Sequence, residues 1–264
     1  MSEADTPNQP AKKGWRKGRK KTLAAVAAAA LTVGTMGVVG LTTSTASADD
    51  SVRGIDVSGH QGNVDWGQVS DAGYDFAYVK ATEGTDFKSD SFAQQYNGSY
   101  DAGMIRGAYH FALPNNSSGA AQAEHFAANG GGWSADDQTL PGVLDIETNP
   151  YSGDQCYGLS QGAMVDWIKD FSDTYHAKTK RYPVIYTTAS WWSSCTGGSD
   201  AFAETNPVWT AHWGVDQPDV PAGFPAWSFW QHTDSADVPG VDGPSDANVW
   251  NGSKERLVAM ANGE

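Results

Sequence analysis

Basic residues and cysteine are both scarce in this 264-residue chain. It contains 17 Lys and Arg residues against 31 Asp and Glu residues, which gives a formal net charge of −14. Seven of the basic residues but only two of the acidic ones stand in the first 48 positions, so residues 49–264 carry a net charge of −19. Such an acidic surface repels phosphate backbones and anionic headgroups, which argues against nucleic acid and anionic membranes as partners.

Long hydrophobic runs are absent after residue 48, where no segment approaches the roughly 18 apolar residues of a membrane span. Before that point, a basic stretch at 12–21 precedes an apolar run at 23–41 and the small residues Ala46-Ser47-Ala48. This order is typical of a cleaved secretory signal. We expect residues 1–48 to be a signal peptide and residues 49–264 to be one extracellular domain without stable membrane association. An uncleaved anchor is the alternative.

Cysteine occurs only twice, as Cys156 and Cys195. In an exported chain, an isolated pair of cysteines predicts a structural disulfide. The bond would close a loop of 40 residues, which corresponds to about 3–4 kcal/mol of stabilisation in the loop-entropy treatment. The alternative, a nucleophilic cysteine activated by histidine, has no local motif to support it.

Apolar runs that suit strands alternate with helix-like segments in the first two thirds of the folded part. The predicted strands cover 53–58, 76–82, 105–111, 142–147 and 182–187. Helices are predicted between them, over 64–72, 89–102, 118–129 and 160–177. This alternation favours parallel strands joined by helical crossovers. No G-x-G-x-x-G motif follows the first strand and no Walker motif occurs, which argues against a nucleotide-binding fold.

The pattern becomes irregular after residue 187. Strands are predicted at 208–212, 227–231 and 248–250, the Pro-rich segment 214–225 is not helical, and a terminal helix begins at residue 253. Seven or eight strands in one domain of this size favour a closed barrel over an open sheet. The sequence therefore predicts an α/β fold, an irregular TIM-like (β/α) barrel with about five regular units and missing late helices.

Two carboxylates, Asp145 and Glu147, stand two positions apart at the end of the fourth predicted strand. Alternate residues of a strand point to the same face, so both side chains would project together. Mutual repulsion and unequal burial can keep one carboxyl protonated and the other ionised near neutral pH. An exposed acidic strand end before Pro150 is the alternative.

Further polar and aromatic residues follow the other predicted strands. In a β/α barrel the active site lies at the carboxyl ends of the strands. Carboxylates cleave glycosidic bonds, and aromatic rings offer flat apolar faces with polar edges, so this composition indicates a carbohydrate site. The residues concerned are Asp56, His60, Lys80, Glu83, Tyr109, His110, Tyr186, His212, Trp213, Gln231, His232 and Asp246, the last of which is expected in a loop.

Four motifs in this order resemble glycoside hydrolase family 25, the Chalaropsis-type lysozymes or N-acetylmuramidases. They are Gly54-Ile55-Asp56-Val57-Ser58-Gly59-His60-Gln61, Lys80-Ala81-Thr82-Glu83-Gly84, Gly107-Ala108-Tyr109-His110-Phe111 and Leu144-Asp145-Ile146-Glu147. The similarity continues through Phe229-Trp230-Gln231 and Asp246-Ala247-Asn248, so it covers 53–264. The Ala-rich N-terminal segment resembles the export signal of a streptomycete.

The resemblance implies a retaining enzyme that hydrolyses the β-1,4 bond between N-acetylmuramic acid and N-acetylglucosamine in the glycan strands of peptidoglycan. By the same resemblance, Glu147 is the general acid, and Asp145 orients the 2-acetamido group of the substrate as that group attacks the anomeric carbon. Asp56 and Asp246 match the two other acidic positions of the family, with Asp242 as an alternative to Asp246. A direct carboxylate nucleophile is the rival mechanism. Because Glu147 must keep its proton, we expect a raised pKa and a loss of activity at high pH.

The substrate contacts expected around these acids come from aromatic, amide and charged side chains: Tyr109, Tyr186, Trp213, Gln231, Lys80, Glu83 and His60. No cofactor and no metal is expected, and a monomer is the default. A metal-dependent hydrolase or deacetylase is one rival, although the sequence has no H-E-x-x-H or H-x-x-x-H motif. A chitinase-like retaining glycosidase and a catalytically silent glycan-binding module are the other two.

Overall fold

The computed structural model describes residues 51–264. The predicted signal peptide, residues 1–48, lies outside the described residues. In the part of the chain that is described, no helix is long and apolar enough to cross a membrane.

A closed barrel of eight strands forms the centre of the fold. Around the barrel the order is β1, β9, β8, β7, β6, β5, β4 and β2, and a parallel pairing of β1 with β2 closes it. A two-residue strand, β3, pairs antiparallel with the end of β2. The strands are β1 Val52–Val57, β2 Phe76–Glu83, β3 Phe87–Lys88, β4 Ile105–Phe111, β5 Val143–Asp145, β6 Val184–Thr187, β7 Val208–Ala211, β8 Phe229–Ala236 and β9 Ser245–Trp250. The predicted barrel is confirmed.

Helices follow the first strands of the barrel and its final strand β9, but not β7 or β8. They are α1 Trp66–Asp71, α2 Phe92–Asp101, α3 Gly119–Ala128, α4 Gln161–Thr179, α5 Ala189–Thr196 and α6 Lys254–Asn262. Five of them make β/α units, after β1, β2, β4, β5 and β6, while β7–β8 and β8–β9 are joined without a helix. The prediction of about five regular units is therefore confirmed. Helix α5, which begins after the capping hydroxyl of Thr188, was not among the predicted helices.

Strand β9 runs antiparallel to both of its neighbours. Only residues 237–244 separate it from β8, and a parallel connection needs a crossover of roughly a dozen residues or more. The chain therefore turns back, and β9 begins at the barrel end where the other strands finish. Asp246, expected in a loop, lies on this strand directly opposite Asp56 of β1.

Large aromatic side chains fill the interior of the barrel. Tyr78 stacks on Trp209 at 5.1 Å and contacts Phe229 edge-on at 5.5 Å. Glycine on neighbouring strands makes room for these rings, since a Cβ at Gly107 would lie 2.2 Å from the Tyr78 ring. A second apolar layer, between the strands and the pair α3 and α4, completes the core.

The two cysteines, Cys156 and Cys195, form the predicted disulfide, with their Cα atoms 5.4 Å apart. The bond joins the loop after β5 to helix α5. The indole of Trp191 in the same helix donates a 2.9 Å hydrogen bond to the carbonyl of Gln155. The loop that follows the acidic pair is thereby fixed to the body of the protein.

Candidate active site

A cavity of about 230 Å³ opens at the carboxyl end of the barrel strands. All four of the acids singled out in the sequence line it. So do five of the seven expected substrate contacts. The lining residues are Asp56, Val57, Ser58, His60, Gln61, Lys80, Tyr109, Phe111, Asp145, Glu147, Tyr186, Trp209, Gln231 and Asp246. The other two expected contacts, Glu83 and Trp213, are not lining residues, but each is hydrogen-bonded to one.

The end of β5 positions Asp145 and Glu147. The carbonyl of Asp145 accepts a 2.9 Å bond from the amide of Ala112, and the amide of Ile146 donates a 3.0 Å bond to the carbonyl of Tyr186. Neighbouring strands thus hold the backbone on both sides of the pair, and both carboxyl groups reach the cavity. The Oδ1 atom of Asp145 is buried and has no hydrogen-bond partner within residues 51–264.

Asp56 is held by two amide side chains. Its Oδ2 atom accepts a 2.7 Å hydrogen bond from Asn248 Nδ2 and a 3.0 Å bond from Gln231 Nε2. Each amide oxygen accepts in turn from aromatic residues, Asn248 from Trp209, and Gln231 from Tyr186 and Trp213. These donors fix the orientation of both amides, so that their NH₂ groups face Asp56.

Asp246 lies directly opposite Asp56 on the neighbouring strand. Burial and the neighbouring Asp56 carboxylate, which is also its hydrogen-bond partner, raise the pKa of Asp246 to about 8. At neutral pH Asp246 is therefore protonated and donates to Asp56. Burial also raises the pKa of Asp56, and the hydrogen bonds from Asn248, Gln231 and Asp246 only partly offset that rise.

Asp145 and Glu147 are both shifted towards their protonated forms. Burial, together with the charge of Asp56, raises the pKa of Glu147 to about 7. Burial and the adjacent Glu147 raise the pKa of Asp145 well above its usual range. Lys80 acts in the opposite direction on both groups. Such closely coupled carboxyls titrate as a pair, so the pair retains a proton near neutral pH.

Lys80 connects the cavity to its outer edge. Its Nζ atom lies 2.6 Å from Glu83 Oε2, and the other carboxylate oxygen of Glu83 accepts a hydrogen bond from the hydroxyl of Tyr151. The ammonium also lies 5.0 Å from the centre of the Phe111 ring. Glu83 is therefore a partner of the cavity-lining lysine and stands at the rim.

Several functional candidates escaped the sequence reasoning. The sequence marks Asn248 only as part of a strand and of the Asp246-Ala247-Asn248 motif, and its contact with Asp56 spans 192 positions of the chain. Tyr151 and Tyr157 lie in a loop with no periodic pattern, so no local signal marked them. Tyr157 is buried, and its hydroxyl has no hydrogen-bond partner among the residues that the structure describes. Burial and then the nearby carboxylates of Asp145 and Glu147 raise its pKa.

His110, expected among the residues at the strand ends, does not line the cavity. It is fully buried, and its ring nitrogens contact Thr82 Oγ1 at 2.8 Å and Gln122 Oε1 at 2.9 Å. Burial lowers its pKa to about 3, so the ring is neutral. His60 does reach the mouth of the cavity. No group of three or more His, Cys, Asp or Glu side chains in residues 51–264 is arranged to hold a metal ion.

A β/α barrel with buried, paired carboxyl groups at the carboxyl ends of its strands has the architecture of a glycoside hydrolase. Comparison with known families agrees with this class. The profile of Glycosyl hydrolases family 25 matches residues 55–241. This chain belongs to that family and is a glycoside hydrolase.

Three relatives illustrate the similarity. Lysozyme M1 of Streptomyces globisporus is 59% identical over 211 residues, which are 80% of this chain and 71% of that protein. The N,O-diacetylmuramidase of Chalaropsis sp is 47% identical over 217 residues, 81% of this chain and 100% of that protein. The crystal structure of the bacterial lysozyme from Streptomyces coelicolor has a TM-score of 0.79 and 58% identity, and covers 80% of this chain and 97% of that one.

Proposed function

We propose that the protein is a secreted lysozyme, an N-acetylmuramidase that hydrolyses the β-1,4 bond between N-acetylmuramic acid and N-acetylglucosamine in peptidoglycan. The observation that carries the proposal is the buried pair of Asp145 and Glu147 in the barrel cavity, with one Asp145 oxygen that has no donor in the described part of the chain. Similarity to proteins named lysozyme and N,O-diacetylmuramidase supports the choice of substrate.

Glu147 is the general acid in this proposal. Its pKa of about 7 leaves it largely protonated under mildly acidic conditions, as an acid that protonates the glycosidic oxygen must be. The proton passes from the carboxyl group to the leaving sugar as the bond between the anomeric carbon and that oxygen breaks. Once ionised, the same carboxylate accepts a proton from the water that completes hydrolysis.

Asp145 is the partner of the substrate's 2-acetamido group. The amide N–H of that group is a suitable donor for the buried Oδ1 atom, to which no group in residues 51–264 donates. With its N–H held there, the acetamido carbonyl oxygen attacks the anomeric carbon, and a cyclic intermediate forms on one face of the sugar. Water then opens the intermediate from the opposite face, so the configuration is retained. The rival mechanism, direct attack by a carboxylate, predicts a covalent sugar–enzyme ester instead.

Asp56 and Asp246 support the reaction electrostatically. When Asp56, held by two amides, is ionised, its negative charge raises the pKa of Glu147. The same charge stabilises the positive charge that develops at the anomeric carbon in the transition state. Formation and opening of the cyclic intermediate use only groups of this chain, the substrate's own acetamido group and water. We therefore propose activity without a cofactor, by an extracellular monomer formed after removal of residues 1–48.

The experiment is hydrolysis of purified bacterial cell walls by residues 49–264. Loss of turbidity with release of new reducing ends, unaffected by EDTA, is the expected result. A Glu147→Gln variant should retain binding to the walls and lose cleavage, while Glu204→Gln, which changes an exposed acid on the outer surface, should match the wild type.

Other outcomes identify the rival functions. Binding without reducing ends in the wild type identifies a glycan-binding module, and activity abolished by EDTA identifies a metal-dependent hydrolase. Cleavage of chitin oligosaccharides in preference to cell walls identifies a chitinase-like enzyme. Near wild-type turnover by Glu147→Gln removes the assignment of the acid.

A further inference from the structure

Three exposed aromatic side chains contact residues that line the cavity or are bonded to its lining. Phe87 is 47% exposed, Tyr151 69% and Trp213 50%. They follow β2, β5 and β7, respectively, at the barrel end that carries the acids. Large apolar groups left in water beside a binding cavity mark a surface that contacts a ligand. Trp213 donates a hydrogen bond to Gln231, whereas Phe87 and Tyr151 both lie beside the Lys80–Glu83 pair.

The ring of Tyr151 is held in place although it is exposed. Its hydroxyl donates to Glu83, and its backbone amide donates a 2.9 Å bond to Asn149 Oδ1. Asn149 is itself buried and donates a 2.8 Å bond to Ser152. A ring fixed at both ends loses little conformational freedom when a ligand packs on it, which favours binding.

Phe87 lies beside the same carboxylate. In the β2–β3 hairpin it pairs directly with Glu83, and the Lys80 ammonium lies 5.4 Å from the centre of its ring. Since Lys80 and Phe111 line the cavity, a continuous wall leads from the acids outwards. We call the residues Phe87, Tyr151, Lys80 and Glu83 the β2–β5 rim.

The charge of this rim selects for a neutral ligand. Lys80 is paired with Glu83 at 2.6 Å, so its positive charge is already compensated. A carboxylate from a peptide stem would have to compete with Glu83 for the ammonium. The face of a sugar ring, with its C–H groups, fits the exposed faces of Phe87 and Tyr151 without disturbing the ion pair.

The size of the cavity requires such an extension. Its volume of about 230 Å³ is below the roughly 300–1,000 Å³ of pockets that enclose a drug-sized ligand. A glycan polymer whose bond is cleaved at the acids therefore continues across the outer surface. The β2–β5 rim is the aromatic surface that is continuous with the cavity wall on that side.

We propose that Phe87 and Tyr151 form a subsite that stacks on a sugar ring of the glycan strand outside the cleaved bond. This subsite rests on the proposed function, because its ligand is the same polymer. It acts through binding: it holds long strands and contributes less to short oligosaccharides that do not reach the rim.

The test compares long glycan strands, freed of peptide, with a tetrasaccharide of the same repeat. For Tyr151→Ala we expect KM on the strands to rise about three- to tenfold, the range of one aromatic stacking contact, and to rise less on the tetrasaccharide. Tyr151→Phe keeps the ring and loses the bond to Glu83, so its KM on the strands should stay within about twofold of the wild-type value. Tyr100→Ala, which removes an exposed ring on α2, is the control.

Two results overturn the subsite. One is an equal rise of KM on the strands for Tyr151→Phe and Tyr151→Ala, which would assign the effect to the contact with Glu83. The other is an equal rise of KM on strands and tetrasaccharide. Binding of the strands to Glu147→Gln proteins with and without Tyr151→Ala tests the subsite independently of turnover. A wild type that binds strands through Tyr151 but does not cleave them contradicts the proposed function and leaves the subsite supported.

Discussion

The stability of the protein should depend on pH through Glu147, and Glu147→Gln isolates that dependence. Burial and Asp56 raise the pKa of this carboxyl from 4.5 to about 7 in the folded state. Its proton is therefore bound more tightly by the folded chain than by the unfolded one. The associated stability is fully present below pH 4.5 and is lost as the pH rises through 7.

The size of the effect follows from that shift. Each unit of pKa corresponds to about 1.4 kcal/mol, so the folded protein should lose about 3 kcal/mol between pH 4.5 and pH 8 through this group. Glutamine cannot ionise and does not incur this loss. At pH 8 Glu147→Gln should therefore be more stable than wild type by up to about 3 kcal/mol, or roughly 6–12 °C in Tm for a domain of this size. At pH 4.5 the two should differ little.

Denaturant and thermal unfolding at pH 4.5, 6, 7 and 8 measure this difference. Glu204→Gln, at an exposed position, is the matched control and should follow the wild type at every pH. The reasoning is refuted if Glu147→Gln has the same pH dependence as wild type, or if it is the less stable protein at pH 8. Either result would mean that the folded structure does not penalise the ionised carboxylate.

Three further perturbations test other parts of the site. Activity should fall as the pH rises through about 7, because Glu147 then loses its proton. Lys80→Met removes the cation that lowers the pKa of Glu147, so this fall in kcat should occur at higher pH in the variant. A shift of the fall to lower pH would contradict this expectation. Asn248→Leu removes the 2.7 Å bond to Asp56 and should lower kcat about 10- to 100-fold, as for loss of a hydrogen bond to a charged group, whereas an unchanged kcat would separate Asp56 from the chemistry. Replacing Cys156 and Cys195 by serine should cost about 4 kcal/mol in denaturant unfolding, and an unchanged midpoint would show that the 40-residue loop needs no cross-link.

The barrel was predictable because the first two thirds of the folded part are periodic. Strand-like and helix-like segments alternate up to residue 187, and each of these segments can be assigned as strand or helix from its own residues. Helix α5 was missed because it has only eight residues and contains Trp191 and Trp192, so its apolar content hides any periodic pattern. The direction of β9 depends on how β8 and β9 are connected and not on the residues of the strand itself.

The candidate site was predictable at its acids and less so around them. Asp56, Asp145 and Glu147 end strands, and this position in a barrel directs them to one face. The contacts that tune these acids join distant parts of the chain. Asn248 meets Asp56 across 192 positions and Tyr151 meets Glu83 across 68, and no local pattern encodes either pairing. The unpartnered oxygen of Asp145 is likewise a property of the folded cavity.

The most direct measurement of the central proposal is the identity of the sugar at the new reducing end. Cell walls digested with residues 49–264 are reduced with borohydride and hydrolysed, and the resulting sugar alcohols are identified by mass spectrometry. If Glu147 is the acid of an N-acetylmuramidase, N-acetylmuramic acid stands at each new reducing end, and the expected sugar alcohol is muramitol. Glucosaminitol in its place, or no sugar alcohol from walls that the protein binds, would contradict the assignment of this barrel as a muramidase.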